Sequence, residues 1–283
     1  MLRRRGGRHG KRVHDRRRAD FVSALLIEAR GAVEIATLNR PERLNALNEE
    51  LVDELNAYFG GLVERPDVRV VILRGAGRGF CAGLDIQEDR AGDETPVLRT
   101  LRTQTRIGNI YRKMRACPQP VIALGHGAAC GGGLSLLLAS DVRYATPSLR
   151  CNAAYIRIGL GGCDMASSYF LPRLVGASLA AEMILTGRFI DAERALRAGL
   201  VSEIVGEEAL LDRGLALADE MLATSPHGLR LSKQALNLNL DAPSLDAAMA
   251  IEDRQQVILS ATEDHKEALA AFLEKRAPEY RER

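Results

Sequence analysis

Cys130-Gly131-Gly132-Gly133-Leu134-Ser135-Leu136 places three glycines directly before an apolar, helix-forming stretch. A glycine turn that opens a helix leaves backbone N–H groups aimed at one point, with the helix dipole behind them. Such a turn suits a negative or polarised oxygen. No acid lies between Gly131 and Ser140, so the turn offers donors without an adjacent carboxylate.

Working outward, the turn lies in a chain that alternates strand and helix. Upstream, Val121–Leu124 reads as a buried strand, and Val97–Arg115 as a helix stopped by Cys117-Pro118-Gln119-Pro120. Val68–Leu73 reads as another strand of a buried sheet, followed by a glycine-rich loop over Gly75–Asp85. A helix fits Asn48–Leu62 with Asn48 as N-cap and Leu51, Leu55, Tyr58 and Phe59 on one face. Val22–Ala29 and Ala32–Leu38 read as strands hinged at Gly31. Downstream, Leu134–Ala139 is helical and Val142–Ala145 is a strand. From about residue 208 only helices are expected: Ala209–Leu222, Pro226–Leu238, Ser244–Ser260 and Glu263–Lys275. The fold class is therefore α/β, layered or spiral, with a helical end.

Composition bounds the function. A chain of 283 residues, 46% of them hydrophobic, can bury a sizeable core. No apolar run is long enough to span a membrane, and no secretory signal pattern is present, so a cytoplasmic protein is expected. Five cysteines, Cys81, Cys117, Cys130, Cys151 and Cys163, form no CxxC pair, and the five histidines have no metal-ligand spacing. Free thiols and no metal site are expected. Residues 1–20 hold nine Lys or Arg against two Asp, leaving 30 basic against 35 acidic side chains in the rest. This basic tail has little to bury and is expected to be disordered. It is either a dispensable extension or an arm for nucleic acid or anionic surfaces.

Two glycine-rich segments follow strands of one sheet: Gly79-Phe80-Cys81-Ala82-Gly83-Leu84-Asp85-Ile86 and Gly131–Gly133. Ligands favour the carboxyl ends of such strands, and N–H groups converging from two loops make an oxyanion hole. Taken singly, each segment also fits a tight turn or close packing. GxGxxG and GxxxxGK[ST] are both absent, which argues against dinucleotide and phosphate-loop sites.

With Asn39-Arg40-Pro41, Leu44-Asn45-Ala46-Leu47-Asn48, Ala139-Ser140-Asp141-Val142, Leu185-Thr186-Gly187-Arg188, Ala198-Gly199-Leu200-Val201 and Ala271–Pro278, these segments resemble the crotonase superfamily, or enoyl-CoA hydratase/isomerase family, from about residue 22 to residue 280. The resemblance implies a crotonase-like ββα spiral core over 21–207 and a C-terminal α-helical oligomerisation region over 208–283, assembled as a homotrimer or hexamer. It implies an acyl-CoA substrate, with coenzyme A part of the substrate and no other cofactor. The thioester carbonyl would sit between the N–H groups of Leu84 and Gly132. Substrate contacts fall on Arg43, Ala46, Ala82, Gly83, Asp85, Ile86, Ala129, Gly131 and Lys275. Of these, the Ala82–Ile86 backbone would lie near adenine, and Arg43 and Lys275 could meet CoA phosphates.

The chain departs from the resembled hydratases at both catalytic glutamates. Ser135 stands two residues after the triplet, and Tyr155 stands in Cys151–Gly159. Adding water across a conjugated double bond needs a base for the water and an acid for the carbon, and neither hydroxyl replaces a carboxylate easily. Asp164, in Gly159–Tyr169, remains. Its place seven residues ahead of Leu171 is similar to the aspartate of dienoyl-CoA isomerases and chlorobenzoyl-CoA dehalogenases. It is the candidate acid/base, with Tyr155 and Ser135 lining the pocket; its alternative use is to cap the following helix. The expected reaction is hydration or isomerisation of an unsaturated acyl-CoA. The alternatives are thioester hydrolysis, C–C cleavage, decarboxylation, or a catalytically silent acyl-CoA binder.

Overall fold

A computed structural model describes residues 23–87 and 95–282. The basic segment read over residues 1–20 lies outside the described residues. Strands β1 (Leu25–Arg30) and β2 (Val33–Leu38) form an antiparallel hairpin turned at Gly31, whose φ is +61°. Strands β3 (Val70–Gly75), β4 (Val121–Gly125), β6 (Val142–Ala145) and β9 (Glu203–Ile204) extend the sheet in parallel, in the order β1-β2-β3-β4-β6-β9. A second sheet holds β5 (Ala128–Cys130), β7 (Arg150–Asn152) and β8 (Ile190–Asp191).

The pleat of β3 divides the core. Val71 and Leu73 join one apolar cluster, while Val70 and Ile72 join the other, as period-two alternation requires. Helices α1 (Glu49–Gly61), α2 (Pro96–Ala116) and α3 (Gly132–Ala139) supply the first cluster. Helix α7 (Leu210–Leu222) covers the second, where Gly214 lets it approach Leu124. Asn48 caps α1 by accepting the Leu51 N–H at 3.0 Å, as expected from the sequence. Thr95 and Pro96 start α2, and Cys117 ends it before Pro118.

All eight residues of α3 are buried. A helix apolar on every side belongs in the interior. Its N-terminus leaves β5 through Gly131, whose φ of +50° and ψ of −117° favour glycine. Helices α4 (Ser167–Val175), α5 (Ala177–Thr186) and α6 (Ala192–Arg197) precede β9. After α7 come α8 (Pro226–Asn239), α9 (Leu245–Ser260) and α10 (Glu263–Glu274), within one or two residues of the sequence expectation. Helix α9 buries none of its residues, and Leu245, Val257, Phe272 and Leu273 of α9 and α10 are exposed. Among the described residues, no helix is long and apolar enough to cross a membrane.

Candidate active site

The site begins with a buried asparagine. Asn45 donates its side-chain amide to the carbonyls of Ala76 (2.9 Å), Gly79 (2.8 Å) and Phe80 (3.2 Å). It also accepts the Arg40 N–H at 2.8 Å. Asn45 itself has a φ of +55°, a conformation that asparagine tolerates better than most residues. This one side chain ties the Arg40–Arg43 turn to the glycine-rich loop after β3.

That loop then runs beside β5. Cys81 donates to Ala128 O (2.9 Å) and accepts from Cys130 N–H (3.0 Å). Farther on, Gly83 O accepts from Leu47 N–H (2.7 Å), and Asp85 N–H donates to Leu47 O (3.0 Å). In a parallel bridge of this kind the intervening residue turns its own N–H the other way. The Leu84 N–H therefore faces away from Leu47 and has no hydrogen-bond acceptor among the described residues. The Gly132 N–H, in the first turn of α3, likewise has none. A β-carbon built on Gly83 would stand 2.7 Å from Cys130 O and 3.4 Å from Gly132 N. The two loops are thus in contact, and the two free donors belong to adjoining strips of backbone.

Ser135 and Tyr155 meet one turn into α3. Their hydroxyls are 3.0 Å apart, and both residues are buried. Tyr155 lies in a short 3-10 turn over Ala154–Ile158, with its ring against Gly131. Burial pushes the Tyr155 hydroxyl well above the usual tyrosine range, with the Asp164 charge in the same direction and the Ser135 hydrogen bond opposing. The pair is neutral across ordinary pH.

Asp164 reaches the site through its neighbours. Its Oδ1 accepts the Met165 N–H at 2.7 Å and the Gln104 side-chain amide from α2. Met165 and Ala166 both hold positive φ, +47° and +63°. Two consecutive left-handed non-glycine residues cost roughly 1–2 kcal/mol each. The turn sets Met165 Sδ 3.2 Å from the Tyr111 hydroxyl, which is itself 3.1 Å from Gly132 O. Helix α4 is capped at Ala166 without a side-chain bond, and the Asp164 main-chain carbonyl accepts the Ser167 N–H at 2.8 Å. The carboxylate is therefore not used as the cap of that helix. Beyond Tyr111 and Met165 opens a cavity of about 410 Å³ between α2, α4 and α8.

On the far side of Leu84, Asp85 is held by Arg40 at 3.1 Å, while Arg40 also donates to Ala46 O at 2.5 Å. Burial pushes the Asp85 carboxyl up, but hydrogen bonds from Arg40 and Gln87 N–H and the charges of Arg40 and Arg43 outweigh it and hold it below the usual range. Arg43 donates to Gln87 at 2.6 Å. Ile86 is exposed. Lys275 ends α10, which packs on α9; among the described residues no hydrogen bond or ion pair of its side chain joins it to the site. Ala82, Gly83, Ala129 and Gly131 fall within the joined loops.

The remaining candidates are occupied or inert. The protonated Nε2 of His126 donates to Gly77 O at 3.0 Å, a bond within the first loop. Burial pushes the Cys130 thiol up to about 11, so it is no ready nucleophile. Among the described residues, no three His, Cys, Asp or Glu are grouped to hold a metal. Asn45, Gln104, Tyr111 and Met165 were not singled out from sequence. The positive φ and buried polarity of Asn45 leave no trace in composition. Tyr111, on the apolar face of α2, reads as an ordinary core residue.

The comparisons with known proteins agree with this architecture. The enoyl-CoA hydratase/isomerase family model matches residues 28–283. The probable enoyl-CoA hydratase EchA12 of Mycobacterium tuberculosis is 40% identical over 263 residues, covering 91% of this chain and 92% of that protein. The 1,2-epoxyphenylacetyl-CoA isomerase of Escherichia coli is 34% identical over 262 residues, covering 92% and 99%. A crystal structure of a probable enoyl-CoA hydratase/isomerase from Mycobacterium abscessus superposes with a TM-score of 0.86 at 38% identity, covering 92% of this chain and all of that one. With a crotonase fold and a family match over most of its length, this chain belongs to the enoyl-CoA hydratase/isomerase family.

Proposed function

We propose that this acyl-CoA enzyme isomerises an unsaturated acyl-CoA. Leu84 and Gly132 N–H would hold the thioester oxygen, and Asp164 would move the proton. The observation that carries it is the pairing of Ser135 with Tyr155: in the helix that Gly132 opens two neutral hydroxyls meet, while the Asp164 carboxylate accepts from Met165, whose Sδ lies against the Tyr111 hydroxyl that meets Gly132 O. Removing a proton from carbon conjugated to a thioester puts negative charge on the carbonyl oxygen. Two preorganised N–H groups stabilise that charge, each worth about 10²–10³ in rate in measured cases. Isomerisation takes a proton from one carbon and returns it to another, so one carboxylate suffices. Hydration needs a base for water and an acid for carbon, a demand that Ser135 and Tyr155 meet poorly.

The CoA moiety would follow the Ala82–Ile86 backbone, with the exposed Arg43 and Lys275 facing its phosphates. The exposed apolar side chains of α9 and α10 support packing between copies, as a homotrimer or hexamer.

The test is Asp164→Asn, assayed with an enoyl-CoA panel for double-bond migration and for free CoA. Turnover is expected to fall at least about 10²-fold with the melting temperature unchanged. Undiminished migration would remove Asp164 from the chemistry. Release of free CoA, undiminished in the variant, would favour thioester hydrolysis driven by the two N–H groups alone.

A further inference from the structure

The cavity beyond Tyr111 and Met165 has a charge that its walls, among the described residues, do not balance. Its lining is largely apolar and aromatic, including Gly108, Tyr111, Met165, Phe170 and Leu240. Two arginines, Arg112 and Arg115, also line it, and among the described residues no Asp or Glu does. Arg115 pairs with Asp141 at 3.0 Å, a carboxylate it shares with Lys233 at 2.9 Å. Arg112 has no such carboxylate among the described residues. Among the described residues its polar partner is the neutral Asn109 Oδ1 at 3.0 Å, and it forms no ion pair. By contrast Arg106, on the same helix, pairs with Asp53 at 2.5 Å and Glu49 at 3.6 Å.

The helix also makes room for this cation. Gly108 sits inside the 21-residue α2, where glycine is less favourable than alanine. A β-carbon built there would stand 3.2 Å from Arg112 Nη1. The guanidinium thus lies back over the bare glycine, at the cavity wall. A hydrocarbon tail would be satisfied by the apolar wall alone. An unpaired guanidinium is the natural partner of a carboxylate, which it can bind through two parallel N–H donors.

Resting on the thioester site read above, we infer that this cavity receives the distal part of the acyl group and that Arg112 selects acyl-CoA substrates ending in a carboxylate. Arg112 is then a specificity residue, remote from the reacting carbons.

The experiment compares kcat/KM for hexenoyl-CoA and its ω-carboxylated counterpart in the wild type, Arg112→Gln and Gly108→Ala. The wild type is expected to favour the carboxylate about tenfold, less so at high salt. Arg112→Gln brings the ratio to about one. Gly108→Ala also lowers the ratio, with a melting temperature equal to or above that of the wild type, which a folding defect would not give. A wild-type preference for the methyl-ended substrate, or a ratio untouched by Arg112→Gln, overturns the inference. If neither thioester is turned over, the isomerase reading fails by itself, and calorimetric binding of the same two thioesters decides about Arg112. Tighter binding of the carboxylate that disappears in Arg112→Gln supports its role; equal affinities refute it.

Discussion

Gly133→Ala is the sharpest perturbation the fold offers. A β-carbon at this position would stand 2.0 Å from Cys81 O, 2.7 Å from Cys81 C and 2.8 Å from Cys81 Cβ. Two of those three atoms are backbone, and none can swing aside. Cys81 is fully buried, its carbonyl accepting from Cys130 N–H (3.0 Å) and its N–H donating to Ala128 O (2.9 Å). Relief therefore requires the first glycine loop to move away from α3 by about 1 Å, which opens the Cys81–Ala129 bridge. Overpacking costs about 1–3 kcal/mol, and a buried carbonyl left without its donor a further 1–3. A loss of about 2–6 kcal/mol is expected, a large share of the stability of an ordinary domain. The same displacement carries Leu84 off its place beside Gly132, so turnover of the folded fraction should drop by about 10²–10³. Urea denaturation gives the first quantity, and enoyl-CoA turnover at a temperature where near-ultraviolet dichroism is still native gives the second. Gly61→Ala is the control. Gly61 ends α1 in right-handed helical geometry with nothing within 4 Å of a built β-carbon, so alanine there should stabilise by up to about 1 kcal/mol. A Gly133→Ala protein with the wild-type midpoint and wild-type turnover would falsify the account of the joined loops.

Two further outcomes follow from the same loops. Asn45→Ala strips the donor from three carbonyls and the acceptor from Arg40 N–H, and should cost at least about 3 kcal/mol in urea denaturation; a loss below 1 kcal/mol would show that the loops hold without it. Asp85 has a folded pKa below its unfolded value of about 3.9, so its contribution is fully present above that pH and is lost as pH falls through the folded pKa. Asp85→Asn should therefore flatten the acid limb of the melting-temperature curve below about pH 4 while lowering the plateau at neutral pH, and a parallel curve would refute this.

Legibility from sequence followed the length of the signal. The apolar runs that became β2, β3 and β4 and the capped, periodic stretch that became α1 carry many residues apiece, and their positions were read within a few residues. The second sheet was missed. Its strands have two or three residues each, too few for any period to register, and they exist because Gly127 O receives Arg150 N–H at 2.7 Å and Gly131 N–H donates to Asn152 O at 3.0 Å. The helical end was legible as helices, since local propensity and proline or serine starts suffice for that. What those helices face was not, because exposed apolar residues on α9 and α10 look the same in sequence whether or not a neighbour covers them.

The chemistry divides in a similar way. Ser135 was readable by resemblance, at a fixed step along one helix from the glycine turn. Tyr155 and Asp164 were readable by resemblance too, but with no local pattern to place them, and the structure adds what resemblance omits. Asp164 precedes two left-handed residues whose strain of about 1–2 kcal/mol each must be offset by contacts of the turn. The contacts available are Met165 Sδ against the Tyr111 hydroxyl, the buried Ser167 and the Gln104 amide on Asp164 itself. A simple cap would need none of this, since an aspartate at the N-cap accepts its N–H in relaxed extended geometry, as Asp191 does from Arg194 at 2.8 Å. Strain retained where a relaxed alternative exists points to a site that needs its carboxylate in that one place. Because the hydroxyls of Ser135 and Tyr155 are bound to each other and stay protonated, proton traffic in the isomerase proposed above would fall to Asp164. That arrangement suits a reaction that moves one proton and adds no water.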